Sequence, residues 1–257
     1  MRIVVKIGTS TLAYSTGHLN IRHIESFCKV LSDIKNSGLE VIVVSSGAVG
    51  MGMGKLGLKE RPTELALKQA AAAVGQCELM YTYDRLFGEH NHTVAQMLLT
   101  AGNLTDENQH ANFNNTLQKL LELNVIPIIN ENDTVTTKEL VIGDNDTLAA
   151  IVAESVKADL LVLLSDIDGV FTADPRLDPN AKLIPVIDEV TPDIEALAGG
   201  SGTNVGTGGM ATKIEAAKIA MQSGCDMVIA NGTDPSVLYD IVGGMPVGTR
   251  FIGRKAQ

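Results

Sequence analysis

Two lysines stand at positions where a lysine is costly unless it meets an anion. Lys6 interrupts the apolar run 3–7, and Lys213 follows the glycine-rich stretch 206–209 at the predicted start of a helix. Taking an ammonium group out of water costs free energy, and the N-terminus of a helix offers free backbone N–H groups to phosphate oxygens. Together the two segments indicate a phosphate-bearing ligand.

A third anion-friendly segment, residues 45–52, follows the apolar run 41–44. Its glycines allow close backbone approach, and the predicted helix start behind it adds N–H donors. The chain contains no Gly-x-x-x-x-Gly-Lys-Ser/Thr sequence, so this is not a Walker A loop. Taken by itself, the segment is explained equally well by a structural glycine turn.

Acidic and amide side chains follow the apolar run 125–129. They form two clusters, residues 130–133 and residues 143–146. Such groups can bind the ammonium of an amino acid, cap the helix predicted to begin near Asn145, or hold lysines by charge pairing.

Residues 165–175, after the run 160–164, suit a nucleotide base or ribose. Residues 206–211 match a loose dinucleotide fingerprint, but no hydrophobic strand precedes them, and we reject that interpretation.

Short β-branched runs alternate with longer segments of helical period, which is typical of a parallel sheet covered by helices. We predict an α/β fold with a largely parallel central sheet, helices on both faces, and a single domain over 1–257. The predicted strands are 3–7, 41–44, 93–99, 125–129, 160–164 and 227–230. The predicted helices are 21–36, 63–87, 108–123, 145–156 and 210–222.

Composition limits the classes of partner. The formal net charge is −10, which disfavours nucleic acid because phosphate-backbone binders need clustered Lys and Arg. The first apolar run is too short for a signal peptide or a membrane span, so we expect no membrane partner and a cytoplasmic protein. Three cysteines, Cys28, Cys77 and Cys225, are read as reduced packing residues, and no dedicated metal site is predicted.

With these segments in this order, the chain resembles the amino acid kinase family over nearly its whole length. The resemblance is carried by residues 129–133, 143–146 and 206–213 together with residues 96–99. Within the family, these motifs closely resemble those of the branch that phosphorylates the side-chain carboxylate of L-glutamate, the first step of proline biosynthesis. The resemblance implies a substrate side in residues 1–157 and a nucleotide side in residues 158–257.

The resemblance also implies a role for each site residue. Lys6 and Lys213 would contact the transferring phosphoryl group from opposite ends of the active edge, with Asp146 holding both lysines. Ser46, Asp133 and Asn145 match the glutamate-binding positions. The positions that match the ATP site are Lys6, Ser165, Asp166, Thr207, Gly208, Gly209, Met210, Ala211, Thr212 and Lys213.

The implied reaction uses ATP, with Mg²⁺ bound mainly through the ATP phosphates. No side-chain base is needed, because a carboxylate acceptor is already ionised at neutral pH. The resemblance further implies feedback inhibition by proline, a homo-oligomer, and association with glutamyl-phosphate reductase. Many members of this branch carry a further small C-terminal domain similar to RNA-modification modules, whereas this chain is expected to hold the kinase domain only. The alternatives are a kinase for aspartate, acetylglutamate, carbamate or a nucleoside monophosphate, and a non-catalytic amino-acid sensor.

Overall fold

The computed structural model describes residues 1–14, 16, 18–136, 144–198 and 209–254. Its strands are β1 (Arg2–Ile7), β2 (Glu40–Ser45), β3 (Val94–Leu99), β4 (Ile126–Glu131), β5 (Leu160–Ser165), β6 (Val186–Ile187), β7 (Asp226–Asn231) and β8 (Thr249–Phe251). Its helices are α1 (Thr9–Leu12), α2 (Ile21–Asn36), α3 (Ala48–Leu56), α4 (Leu65–Gly88), α5 (Ala101–Thr105), α6 (Glu107–Glu122), α7 (Asn145–Ser155), α8 (Pro192–Ala198), α9 (Met210–Gln222) and α10 (Val237–Val242).

All eight strands belong to one sheet, in the order β3-β4-β2-β1-β5-β7-β8-β6. Every neighbouring pair is parallel except β7 and β8, which run antiparallel. The predicted α/β class with a largely parallel sheet is therefore confirmed. Strands β1–β4 occupy one half of the sheet and strands β5–β8 the other, whereas the assignment of the halves to substrate and nucleotide stays a prediction.

Alternating side chains of the central strands feed two separate cores, one on each face of the sheet. Val5 of β1 packs with Phe27 of α2 and Leu79 of α4, and its neighbour Val4 packs on the other face with residues such as Leu148 of α7. Because both faces are covered, the central strands must be apolar at nearly every position. This is why they are visible in the sequence as continuous runs, and why Lys6 stands out among them.

Helices α3 and α4 pack at very close range beside the half of the sheet that contains β2 and β4. A Cβ atom added at Gly75 would lie 1.7 Å from the carbonyl oxygen of Ala48, and one added at Gly52 would lie 1.8 Å from that of Ala71. Only glycine allows this approach at both positions. The crossing fixes α4 against the start of α3, directly behind the end of β2.

The predicted strands and the five long helices are present within a few residues of their expected bounds. The elements that the sequence did not indicate are short: α1, α5, α8, α10, β6 and β8. One cysteine prediction is wrong, because Cys28 and Cys225 are buried but Cys77 is exposed on α4. The described residues contain no helix that is long and apolar enough to cross a membrane.

Candidate active site

The carboxyl ends of five parallel strands bring the polar segments of the sequence to one edge of the sheet. Along this edge the strands follow the order β4, β2, β1, β5 and β7, and Ser45 at the end of β2 lies opposite Ile7 of β1. Ligands of parallel α/β sheets bind outside the carboxyl ends of the strands. The edge is therefore the candidate active site.

Two lysines meet one aspartate at the centre of this edge. The Nζ atom of Lys6 lies 2.8 Å from Oδ1 of Asp146, and Nζ of Lys213 lies 3.0 Å from Oδ2 of the same carboxylate. The three side chains are buried, with exposed fractions of 11% for Lys6, 6% for Lys213 and 1% for Asp146. We call these three residues the Lys-Asp-Lys cluster. It carries a net charge of +1 and faces the edge where a ligand would approach.

Two helix starts hold Asp146 in this position. Asp144 is the N-cap of α7, and its side chain accepts hydrogen bonds from the backbone N–H groups of Asp146 and Thr147. On α9, the hydroxyl of Thr212 lies within hydrogen-bond distance of two acceptors, Oδ2 of Asp146 at 3.1 Å and the carbonyl oxygen of Gly209 at 2.8 Å. The packing of α7 against α9 thus brings Lys213 to Asp146, although the two residues are 67 positions apart in the sequence.

The environment of Asp146 keeps it ionised. Burial alone raises the pKa of this carboxyl, but the two ammonium groups of Lys6 and Lys213 outweigh burial and lower the pKa below its usual value. Asp146 is therefore a poor proton acceptor at neutral pH. Its arrangement suits the holding of two cations rather than general base catalysis.

Beside the cluster, four polar side chains form a continuous hydrogen-bonded row, which we call the amide row: Ser46, Asn145, Asn130 and Gln76. Nδ2 of Asn145 donates to Oγ of Ser46 at 2.7 Å and lies 3.2 Å from Oδ1 of Asn130. Nδ2 of Asn130 in turn donates to Oε1 of Gln76 at 2.9 Å. The row runs away from Asp146 toward β4 and α4.

Asp133 lies at the far end of the amide row, in the turn after β4. It lines a small cavity together with Gln76 and Asn132, and its carboxylate is 3.9 Å from Nζ of Lys68. Burial raises the pKa of Asp133, and Lys68 and Arg61 only partly oppose this effect. A cationic group placed beside Asp133 would therefore stabilise the ionised carboxylate.

The positions predicted to bind the nucleotide lie on the other side of the cluster, at the ends of β5 and β7 and at the start of α9. Ser165 ends β5 and donates its hydroxyl to Asp166 at 3.1 Å, and the neighbouring Asp168 accepts a hydrogen bond from Asn231 at the end of β7. Gly209 is the N-cap of α9, which begins at Met210 and includes Ala211, Thr212 and Lys213. Thr207 and Gly208 lie outside the described residues.

One geometric expectation is wrong. Lys6 and Lys213 do not approach from opposite ends of the edge, because both contact the same carboxylate of Asp146. The sequence also missed Gln76. The only signal for it was a glutamine between buried residues of α4, Ala72 and Leu79, and this pattern gives no indication of what a glutamine would contact. Among the described residues, no group of three His, Cys, Asp or Glu side chains could hold a metal ion.

The sequence pattern of the amino acid kinase family matches residues 1–231. This chain belongs to the amino acid kinase family. It is 51% identical over its full length to a glutamate 5-kinase of Clostridium perfringens, covering 97% of that protein, and 53% identical over 97% of the chain to a glutamate 5-kinase of Clostridium tetani, covering 93% of it.

Solved structures of other kinases share the fold at much lower identity. A carbamate kinase from Giardia lamblia bound to AMP-PNP superimposes with a TM-score of 0.69 at 17% identity, covering 98% of each chain. Identity this low supports the fold alone. The choice of acceptor must therefore rest on the close relatives and on the site itself.

Proposed function

We propose that this chain phosphorylates the side-chain carboxylate of L-glutamate with ATP, giving L-glutamyl 5-phosphate, the first step of proline biosynthesis. The observation that carries the kinase assignment is the Lys-Asp-Lys cluster at the centre of the ligand-binding edge. The choice of glutamate is supported by relatives of that activity, which are at least half identical over nearly the whole chain.

The charges of the reaction explain why such a cluster is needed. Direct transfer brings an anionic carboxylate against an anionic triphosphate, so the catalyst must neutralise repulsion and align the reacting groups in line. In our proposal Lys6 and Lys213 bind oxygens of the transferring phosphoryl group, and Asp146 positions both ammonium groups. No side-chain base takes part, because the acceptor carboxylate is already ionised at neutral pH.

The acceptor would bind along the amide row. Ser46 and Asn145 lie beside the cluster, where the reacting carboxylate must be, and Asp133 lies at the far end, where it would pair with the α-ammonium group. Burial of Asp133 supports this role, because a buried carboxylate with a raised pKa gains most from a cationic ligand. An N-acetylated acceptor has no cation to offer, so this pairing favours a free amino acid.

ATP would lie on the β5 and β7 side, with its phosphates at the N-terminus of α9. Gly209 to Lys213 supply free backbone N–H groups and the lysine, and Ser165 and Asp166 lie toward the base and ribose. Thr207 and Gly208 complete the proposed ATP site. Mg²⁺ fits this site through phosphate oxygens, since Asp146 is already engaged by two lysines. When bound, it would neutralise charge on the triphosphate.

The alternatives differ in the acceptor or in the absence of catalysis. Aspartate, acetylglutamate, carbamate and nucleoside monophosphates are acceptors for other kinases of this type. An amino-acid sensor would keep the amide row but has no need of two buried lysines around one carboxylate. The cluster therefore favours an enzyme over a sensor.

Further partners belong to the same proposal. We expect a homo-oligomer, because Ala66, Ala70, Ala73, Cys77 and Tyr81 form an exposed, largely apolar stripe along α4. Light scattering of the purified protein measures the subunit number.

Proline would compete at the glutamate site, which glutamate saturation curves at millimolar proline would test. We expect the activity in the cytoplasm. The labile acyl phosphate favours association with glutamyl-phosphate reductase, which co-sedimentation of the two enzymes tests.

The first experiment is ATP consumption by the purified protein with Mg²⁺ and each candidate acceptor, with hydroxylamine present to trap an acyl phosphate. We expect a hydroxamate with L-glutamate and a loss of its formation in Lys213→Ala. The matched control is Lys218→Ala, which removes a half-buried lysine of the same helix that pairs with Glu195 and Glu215. Two outcomes would refute the assignment. One is that Lys213→Ala forms as much hydroxamate as the wild-type protein, and the other is that the wild-type protein forms no hydroxamate with any of the carboxylate acceptors.

A further inference from the structure

Gln76 carries a buried hydrogen-bond donor that the protein itself leaves unused. The residue is 7% exposed, and its Nε2 atom has no hydrogen-bond partner within the part of the chain that the structure describes. A buried amide donor without a partner costs about 1–3 kcal/mol. Such a cost on a helix that is otherwise closely packed against the site points to a partner that arrives with a ligand.

The orientation of this amide is fixed by its neighbours. Oδ1 of Asn130 accepts from the backbone N–H of Glu131 and from Asn145, so its Nδ2 must face Gln76 and donate to Oε1. The side chain of Gln76 can therefore not be turned around without placing two donors against each other. Its Nε2 remains the free end of the amide row.

Gln76 and Asp133 line the same cavity at this free end. The cavity has a volume of about 10 Å³, which is the space that one water molecule or one ligand oxygen needs. An N–H donor and a carboxylate on its walls form a pair of opposite polarity. The cavity therefore has room for one carboxylate oxygen of a zwitterionic Cα group, whose ammonium, on the same carbon, would pair with Asp133 from outside the cavity.

The order of groups along the edge fixes which end of the acceptor reaches this cavity. In the proposed function the Lys-Asp-Lys cluster lies at the reacting carboxylate, and Asn145, next to Asp146 in the sequence, is hydrogen-bonded to Asn130, which is in turn hydrogen-bonded to Gln76. The end of an amino acid that does not react therefore lies at Gln76 and Asp133.

We propose that Gln76 is a specificity-determining residue whose Nε2 donates a hydrogen bond to the α-carboxylate of the acceptor amino acid. This inference rests on the proposed function, since it takes L-glutamate as the acceptor. Gln76 distinguishes an α-carboxylate from an α-amide, because only a carboxylate presents acceptors alone to the donor. It takes no part in the transfer step.

The test compares Gln76→Glu with the wild-type protein, using L-glutamate and its α-amide as acceptors in the hydroxamate assay. The substitution keeps the shape and the acceptor for Asn130, but it replaces the donor with a charge that repels the α-carboxylate. We expect the KM for L-glutamate to rise by about ten- to a hundredfold, with kcat and the KM for ATP nearly unchanged. The preference for L-glutamate over the α-amide should shrink, because the introduced carboxylate accepts from an amide N–H.

Two further variants separate binding from folding. Gln76→Met removes the donor without adding a charge and should raise the same KM. Thr82→Val is the matched control on α4: Thr82 is also buried, and its hydroxyl donates to the helix carbonyl of Glu78. An unchanged KM and acceptor preference in a folded Gln76 variant would overturn the inference alone. Absence of glutamate-dependent hydroxamate in the wild-type protein would overturn the proposed function, and the inference with it.

Discussion

Replacing Asp146 with asparagine should destabilise the fold and nearly abolish phosphoryl transfer. The two ion pairs, at 2.8 and 3.0 Å, each have a gross attraction of about 5–6 kcal/mol at an effective dielectric constant near 20. Much of this attraction only offsets the desolvation of three charges. Removing one partner of a buried pair nevertheless leaves buried charge uncompensated, which costs about 3–5 kcal/mol. In Asp146→Asn that uncompensated charge sits on both Lys6 and Lys213.

Urea unfolding at pH 7 measures this cost, and the hydroxamate assay measures the catalytic effect. We expect the free energy of unfolding of Asp146→Asn to fall by about 3–5 kcal/mol and kcat to fall by about a hundredfold or more, because the two ammonium groups are no longer aligned. The matched control is Glu215→Gln, which removes an exposed partner of Lys218 on the same helix as Lys213 and should change neither quantity measurably.

The pH dependence provides an independent check on the same residue. Because the pKa of Asp146 is lowered in the folded protein, the unfolded chain binds more protons in the acid range, and stability rises with pH there. The stabilisation is fully present above the unfolded pKa of about 3.9, and it is lost as pH falls through the lower folded value. Asp146→Asn should lose this part of the acid dependence. Equal stability of the two proteins at pH 7, or retained kcat in the variant, would refute the reasoning.

Two more results are expected. Gly75→Ala should lower the free energy of unfolding by about 3 kcal/mol or more in urea titrations, because the new methyl group overlaps the backbone of α3. Its control on the same helix is Gly88→Ala, whose new methyl group meets no neighbouring element within 4 Å. An equal loss of unfolding free energy in the two variants would contradict the close crossing of α3 and α4. On acidification, the kcat/KM for glutamate should begin to fall at a higher pH than the pKa of an exposed aspartate would give. The reason is that burial raises the pKa of Asp133, and its protonated form cannot pair with an ammonium group. If Asp133→Asn showed the same fall in kcat/KM at acidic pH, this would count against the pairing.

The sequence predicted those parts of the fold that depend on local pattern. Continuous apolar runs revealed the buried parallel strands, and helical period revealed the helices of eleven or more residues, such as α2 and α9. Elements such as β6, with two residues, and α1, with four, are too short for a period to be read. They are held by packing against residues that are distant in the sequence, and a short stretch of sequence carries no information about such contacts.

The sequence indicated which polar segments come to one edge of the sheet, but not the contacts between their side chains. Residues at the ends of predicted strands, such as Lys6 and Ser46, could be assigned to one edge because parallel strands end together. Lys213 was placed wrongly relative to Lys6, because its position depends on how α9 packs against α7. Gln76 was missed for the same reason: its contact with Asn130 joins residues 54 positions apart.

One carboxylate between two lysines also explains how the site can be ready for its ligand before the ligand binds. Without Asp146, Lys6 and Lys213 would repel each other in a buried region and would turn toward water. With Asp146, both ammonium groups are held against one carboxylate, and the cluster still keeps a net charge of +1 that would attract the phosphates of the proposed ATP complex. The two lysine side chains are therefore already ordered in the folded protein. They would need little reorganisation during the proposed transfer step, which is the general basis of electrostatic preorganisation. The lowered pKa of Asp146 follows from the same contacts, so the residue that organises the site is also prevented from acting as its base.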